Sequence, residues 1–197
     1  MFQEILTAIF YFILISISCF GYGIAFNKIF LNTDNSIDSE ELGITGIYGF
    51  LFLSFISIFF HFFINLGQFF NSIIVTLGLI ISIYKLNLLS NFFKKDSILI
   101  LFFILPTLVF FEYHADYFWY HLPYINLVNE FKIIFGLANI NDNLGYGHIW
   151  YDVVALFNLP YFGTRYLSII SIIFFTNFII FLKNKFSFTK KKLIKFF

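Results

Sequence analysis

Ionisable residues crowd the stretch E-Y-H-A-D-Y-F-W-Y-H, from Glu112 to His121, immediately after an apolar run. Carboxylates and histidines among aromatic rings at a membrane surface suit proton transfer, because a desolvated carboxylate holds protons and cations more readily and serves as a general base. Glu112, His114, Asp116 and His121 are also potential metal ligands, but their spacing of i, i+2, i+4 and i+9 matches no zinc pattern. No cofactor is expected. A divalent cation held between Asp116 and a substrate phosphate is the one metal arrangement this spacing leaves open. The competing reading is that the stretch only marks where lipid ends, since interfaces collect Tyr, Trp and His.

The elements that must position these residues are apolar helices. Of 197 residues, 60% are hydrophobic and 12% charged, which excludes a water-soluble domain with an ionised surface. The net charge of +1 gives no reason to expect a nucleic-acid partner. The expected partner is membrane lipid. Phe occurs 34 times and Gly only 11, so lipid-facing helices with bulky surfaces are expected in preference to close small-residue packing. The lone Cys19 lies within the first apolar run, where it reads as a buried bystander.

A spanning helix takes about 20 mostly apolar residues. Ile5 to Phe26, Ile44 to Leu66, Phe69 to Tyr84 and Gly163 to Leu182 meet or approach that length. Ile98 to Phe111 is a shorter fifth, covering roughly 21 Å at about 1.5 Å per residue, with Pro106 expected to kink it. The fold class predicted is therefore all-α: about five transmembrane helices in a multi-pass protein of the bacterial inner (cytoplasmic) membrane.

Short loops rich in Lys resist translocation. The loop with Lys85, Lys94 and Lys95 and the tail with Lys183, Lys185, Lys190, Lys191, Lys192 and Lys195 are thus assigned to the cytoplasm. With five spans, the N-terminus and the whole stretch from Glu112 to Phe162 then lie outside, and the acidic loop with Asp34, Asp38, Glu40 and Glu41 lies inside.

The outside stretch has helical periodicity of its own. From Leu122 to Phe135, Ile125, Leu127, Val128, Phe131, Ile134 and Phe135 share one face, while Asn126, Asn129 and Glu130 share the other. From His148 to Leu159, Ile149, Trp150, Val153, Val154, Leu156 and Phe157 oppose His148, Asp152 and Asn158. Each segment is too short to span, so both are predicted to be amphipathic helices in the outer interface with the polar face in water.

The order of a span, an acidic outside residue, D-Y-F-W-Y-H at Asp116 to His121, two interfacial helices and a return span resembles the N-terminal part of GT-C-fold glycosyltransferases. That class includes the protein O-mannosyltransferases and aminoarabinose transferases. Asp116, Tyr120, His121, G-L-A-N at Gly136 to Asn139 and Trp150 are similar to an allied bacterial family of largely uncharacterised polytopic proteins. The likeness covers residues 97–197; residues 1–96 read as an added module of three spans. It implies a polyprenyl-phosphate sugar donor, Asp116 as catalytic base, and Glu112, Tyr120, His121 and Arg165 as substrate-binding residues. Asn143, Gly147 and His148 depart from the expected pattern, and the class has many more spans, so the chain reads as an N-terminal portion of such an enzyme.

Arg165 is the only arginine and has two readings: its guanidinium rests among lipid phosphates, or it grips the donor phosphate beside Asp116. A different class of function, a non-catalytic accessory subunit of a larger membrane complex, stays open as well. The topology is directly testable. Reporter fusions after Lys95 and after Lys192 should read cytoplasmic and one near Asn141 external; a cytoplasmic reading at Asn141 would remove any extracytoplasmic site.

Overall fold

The computed structural model describes residues 2–32, 42–84, 116–142, 144 and 148–194. Within them lie α1 (Phe2–Phe30), α2 (Leu42–His61), α3 (Gln68–Ile83), a π-helical turn (Tyr117–His121), α4 (Leu122–Glu130), α5 (Leu137–Ile140), α6 (Ile149–Ala155), a 3-10 turn (Thr164–Tyr166) and α7 (Ile169–Ile194). No strand occurs among the described residues. The acidic loop, the loop with Lys94 and Lys95, the proposed span Ile98 to Phe111, and Glu112 and His114 fall outside them.

Three helical stretches are long and apolar enough to cross a membrane: Gln3–Phe30, Leu42–His61 and Thr164–Phe186. The chain is therefore a membrane protein with apolar spanning helices. The α3 helix, at 16 residues, reaches about 24 Å at about 1.5 Å per residue, short of a hydrocarbon core of about 30 Å. The second span ends earlier than its hydropathy suggests, because α2 stops at His61 and Phe62 to Gly67 make a turn instead of a last helical turn. At the other end of the chain, α7 continues as helix through the Lys-rich stretch.

The α1 helix packs along both α2 and α3, and α2 packs along α7. These contacts overturn the expectation of bulky, loosely approaching helices. Glycine is scarce, but it is concentrated where helices cross. A Cβ built on Gly49 of α2 would come within 1.9 Å of the Cys19 carbonyl oxygen of α1, and one on Gly78 of α3 within 2.7 Å of the Ser18 carbonyl oxygen. Where backbones approach so closely, side-chain hydroxyls bond across the gap. Ser18 Oγ donates to the Val75 carbonyl at 3.1 Å, Ser82 Oγ to the Ile17 carbonyl at 2.6 Å and Tyr22 Oη to the Ile74 carbonyl at 2.8 Å. Without hydrophobic driving force between helices in lipid, such close contact and polar bridging hold them together. Many phenylalanines do point outward, as composition suggested: Phe59, Phe63 and Phe69 are 61%, 67% and 82% exposed. Cys19 is a free, fully buried thiol in the α1 interface.

One core unites this bundle with the segment after residue 116. Tyr11, Ile15 and Cys19 of α1, Leu53 of α2, Ile125 and Val128 of α4, Val153 to Phe157 and Ile170 of α7 are buried in a single cluster. The two amphipathic segments are shorter than their periodicity predicts. The first ends at Glu130, where Phe131 turns extended (φ −127°, ψ 150°), and the second ends at Ala155. Nor do their polar faces lie wholly in water. Asn126 and Glu130 are exposed, but Asp152 and Asn158 are buried. The reason is that the chain from Asn126 to Leu159 folds back over the ends of α2 and α3, whose broken helix ends offer polar partners.

Overpacking of a close contact typically costs about 1–3 kcal/mol. Gly49→Ala should therefore lower the thermal midpoint of the purified protein, whereas Leu51→Ala, on the exposed flank of the same helix, should change it much less. Equal effects would show that the α1–α2 approach is not tight.

Candidate functional site

Two polar assemblies lie where the segment from Asp116 onward meets the helix bundle. The first is structural in construction. The turn after α2 is tied to the end of α4 by backbone bonds, Leu66 N–H to the Val128 carbonyl and Ile133 N–H to the His61 carbonyl, both at 3.0 Å. Asparagine side chains complete the join. Asn129 donates to the carbonyls of Leu66 (2.7 Å) and Ala155 (3.0 Å), and Asn71 donates to those of Ala155 (2.8 Å) and Asn158 (3.0 Å). Asn158 in turn donates to Asn129 Oδ1 at 2.6 Å, and Asn65 to the Asn129 carbonyl at 2.9 Å. Carbonyls left over at helix ends need such donors when water is excluded.

His61, the last residue of α2, belongs to this join. Its Nε2 lies 3.2 Å from the Phe131 carbonyl. Its Nδ1 lies 3.0 Å from Asp152 Oδ1, an ion-pair distance, although the approach is too far off axis to be a hydrogen bond. Both side chains are buried, 5% and 10% exposed. The sequence placed Asp152 on a water-facing surface; the structure buries it against α2. The signal that could have found it was already present: His61, Asn65 and Asn71 form a polar break between two apolar runs, and the outside segment carries a matching set of polar residues.

The second assembly is a cavity of about 230 Å³ under the π-helical turn. Its walls include Tyr117, His121, His148, Tyr151, Ser168 and Ser171. The Tyr151 hydroxyl and His121 Nδ1 are hydrogen-bonded, His148 stacks on Tyr151 with ring centroids 3.9 Å apart, and Tyr117 Oη donates to the Thr164 carbonyl at 3.0 Å. Burial pushes the Tyr151 hydroxyl above the ordinary phenol range. Nearby, burial and then the Asp152 carboxylate do the same to Tyr124. Both phenols therefore stay protonated at neutral pH. Ser168 Oγ is buried in this wall and has no hydrogen-bond partner among the described residues. The turn that carries Tyr117 and His121 is a π-helix, a form that recurs at functional sites because it displaces side chains from α-helical register.

The residues predicted from sequence are distributed unevenly around this cavity. His121 lines it. Asp116 stands half-buried at the start of the π-helical turn, and Tyr120 on that turn is 39% exposed and outside the cavity lining. Glu112 is outside the described residues. Arg165 donates from Nη1 to Glu4 Oε1 at 2.7 Å, an exposed ion pair between the 3-10 turn and the first turn of α1. Sequence reasoning weighed lipid phosphate and donor phosphate for Arg165, and did not foresee Glu4. It also missed Tyr117, His148, Tyr151 and Ser168 as cavity residues. Among the described residues no three His, Cys, Asp or Glu side chains gather as a metal site.

The model of one family, a domain of unknown function, matches residues 5–197. The chain belongs to the DUF8201 family. That match takes in both the helices α1 to α3 and the segment carrying the cavity. No curated protein and no solved structure matches the chain.

The join around His61 and Asp152 makes its own prediction. Removing one partner of a buried pair costs several kcal/mol, typically about 3–5. Asp152→Ala should melt well below the parent, and a double-mutant cycle with His61→Ala should give a coupling of about 0.5–3 kcal/mol. Additive losses would mean that the two side chains do not sense each other.

Proposed function

We propose that this DUF8201 chain belongs to a GT-C-type glycosyltransferase system that moves a sugar from a polyprenyl phosphate to a cell-envelope glycan or lipid. In this reading Asp116 takes the proton from the acceptor hydroxyl. The acceptor oxygen then attacks the anomeric carbon, the bond from that carbon to the phosphate oxygen breaks, and polyprenyl phosphate leaves with the electron pair. Tyr120 and His121 shape the pocket, Glu112 lies nearby in sequence, and Arg165 would exchange Glu4 for the donor phosphate. A divalent cation at Asp116 would further offset the leaving group's charge. The observation that supports the reading is that the turn beginning at Asp116 also presents Tyr117 and His121 to a cavity rich in hydrogen-bond donors.

A second reading is a non-catalytic subunit packed against a larger membrane complex. It is favoured by the fate of the conspicuous polar residues: Asn71 and Asn129 donate to backbone carbonyls, Asn158 donates to the Asn129 side chain, and Asp152 faces His61. Sugar transfer separates the two. In membranes holding the complete system, Asp116→Asn should reduce transfer from a radiolabelled polyprenyl-phosphate sugar by about 10²–10⁴ with protein abundance unchanged. Near-normal transfer by that variant would leave the accessory reading.

A further inference from the structure

The cavity beneath the π-helical turn does not end at its own walls. Trp150 and Ser171 are shared with a second, open depression of about 600 Å³ on the flank between α2 and α7, a size within the roughly 300–1,000 Å³ range of ligand clefts. Its lining is Ile47, Phe50, Leu51, Ser54 and Phe174, with little polar surface beyond hydroxyls. Phe50, Trp150 and Phe174 form its floor, with ring centroids 5.5–5.8 Å apart. Both helices are candidate spans, so the groove runs along a surface that would face lipid tails. At the turn into α7 and along its start the cavity takes Leu167, Ser168 and Ser171, and the groove takes Ser171 and Phe174, one turn further into the span.

The two spaces differ in chemistry. The groove offers aromatic and aliphatic surface. The cavity offers phenol and serine hydroxyls and two imidazoles, and no carboxylate lines it among the described residues. Hydroxyl and imidazole donors without an acid among them suit an anion. If Tyr151 donates to His121 Nδ1, the ring carries its proton on Nε2 and is a donor there too. The buried Ser168 hydroxyl lacks a protein partner in this wall, and a buried hydroxyl without a partner is costly unless something else bonds it.

We propose that groove and cavity together form a binding site for a lipid phosphate with one hydrocarbon chain: the chain lies in the α2–α7 groove and the phosphate reaches past Trp150 and Ser171 to His121, His148, Tyr151 and Ser168. A single groove accommodates one chain. The site requires only that such an amphiphile binds, whether or not a sugar is transferred, and it uses α2, which lies outside the region of glycosyltransferase likeness.

The test uses the full chain in phosphatidylcholine nanodiscs. The chain has two tryptophans, and Trp119→Phe, at an exposed position, leaves Trp150 as the sole reporter. Dodecyl phosphate brominated on its chain should quench Trp150 saturably, and excess unbrominated dodecyl phosphate should restore the signal. Brominated dodecanol should need a concentration about tenfold higher or more. Ser171→Phe, which closes the passage, should abolish saturable quenching while the melting curve stays native-like. His121→Phe combined with His148→Phe should remove the preference for phosphate over alcohol; should that pair fail to fold, His148→Gln alone should diminish the preference. Equal quenching by the alcohol and the phosphate would overturn the proposal, as would saturable quenching in a folded Ser171→Phe protein or stronger competition by two-chain phosphatidic acid than by dodecyl phosphate. No acceptor or sugar enters the measurement, so its outcome is independent of the loss of transfer expected from Asp116→Asn.

Discussion

In apolar surroundings a backbone carbonyl without a donor is costly, and every interrupted helix creates several. The architecture of this chain follows from that constraint at one place, the end of the bundle where α2 stops at His61 and α3 begins at Gln68. The turn between them and the ends of α4 and α6 expose the carbonyls of Leu66, Phe131, Ala155 and Asn158. Asn71, Asn129 and His61 meet these carbonyls at 2.7–3.2 Å. Because each asparagine amide has two donor hydrogens, one side chain can serve two carbonyls from different segments. The segment carrying α4 and α6 is thereby fastened to the bundle, and the cavity beneath the π-helical turn is held beside the fastening.

That arrangement divides the polar residues into two groups with different consequences. Those in the join have their hydrogen-bonding capacity largely committed to backbone, so their loss should appear first as lost stability. In the cavity His121 is bonded to Tyr151 and Tyr117 to a carbonyl, while Ser168 Oγ has no hydrogen-bond partner among the described residues. A cavity lined by hydroxyls and imidazoles and adjoining an apolar groove has the composition of a site for an amphiphile; a join whose amide donors go mainly to backbone carbonyls does not. The distinction also bears on Arg165. Its ion pair with Glu4 is exposed at both ends, and such pairs contribute on the order of 0–1 kcal/mol, so the guanidinium can change partners at little cost.

The packing of the spans obeys a related rule. Hydroxyls of Ser18, Tyr22 and Ser82 bond to carbonyls of neighbouring helices because Gly49 and Gly78 let the backbones approach. Phenylalanines such as Phe59, Phe63 and Phe69 cover the outside, where lipid tails are their natural neighbours. Composition obscured this division. A count of 34 Phe against 11 Gly describes the average surface, whereas helix approach is governed by the few positions at a crossing.

The sequence by itself determined the solvent and the class of fold, because runs of apolar residues near spanning length leave α-helices in lipid as the economical way to pair every backbone group. It also marked Cys19 as buried, and it located the apolar faces of α4 and α6, since Ile125, Val128, Val153 and Val154 recur at helical spacing and are buried. Only the tertiary structure decided what the polar faces do. Periodicity reports that Asn129, Asp152 and Asn158 share a side of their helices, but not whether that side meets water or the broken end of another helix. His61 and Asp152 are separated by 91 positions, and neither residue's neighbours in sequence predict the other. The cavity is assembled in the same way, from Tyr117 and His121, from His148 and Tyr151, and from Ser168 and Ser171. No local pattern encodes such a meeting, because it depends on how three segments stack, and that is set by the sum of their buried contacts.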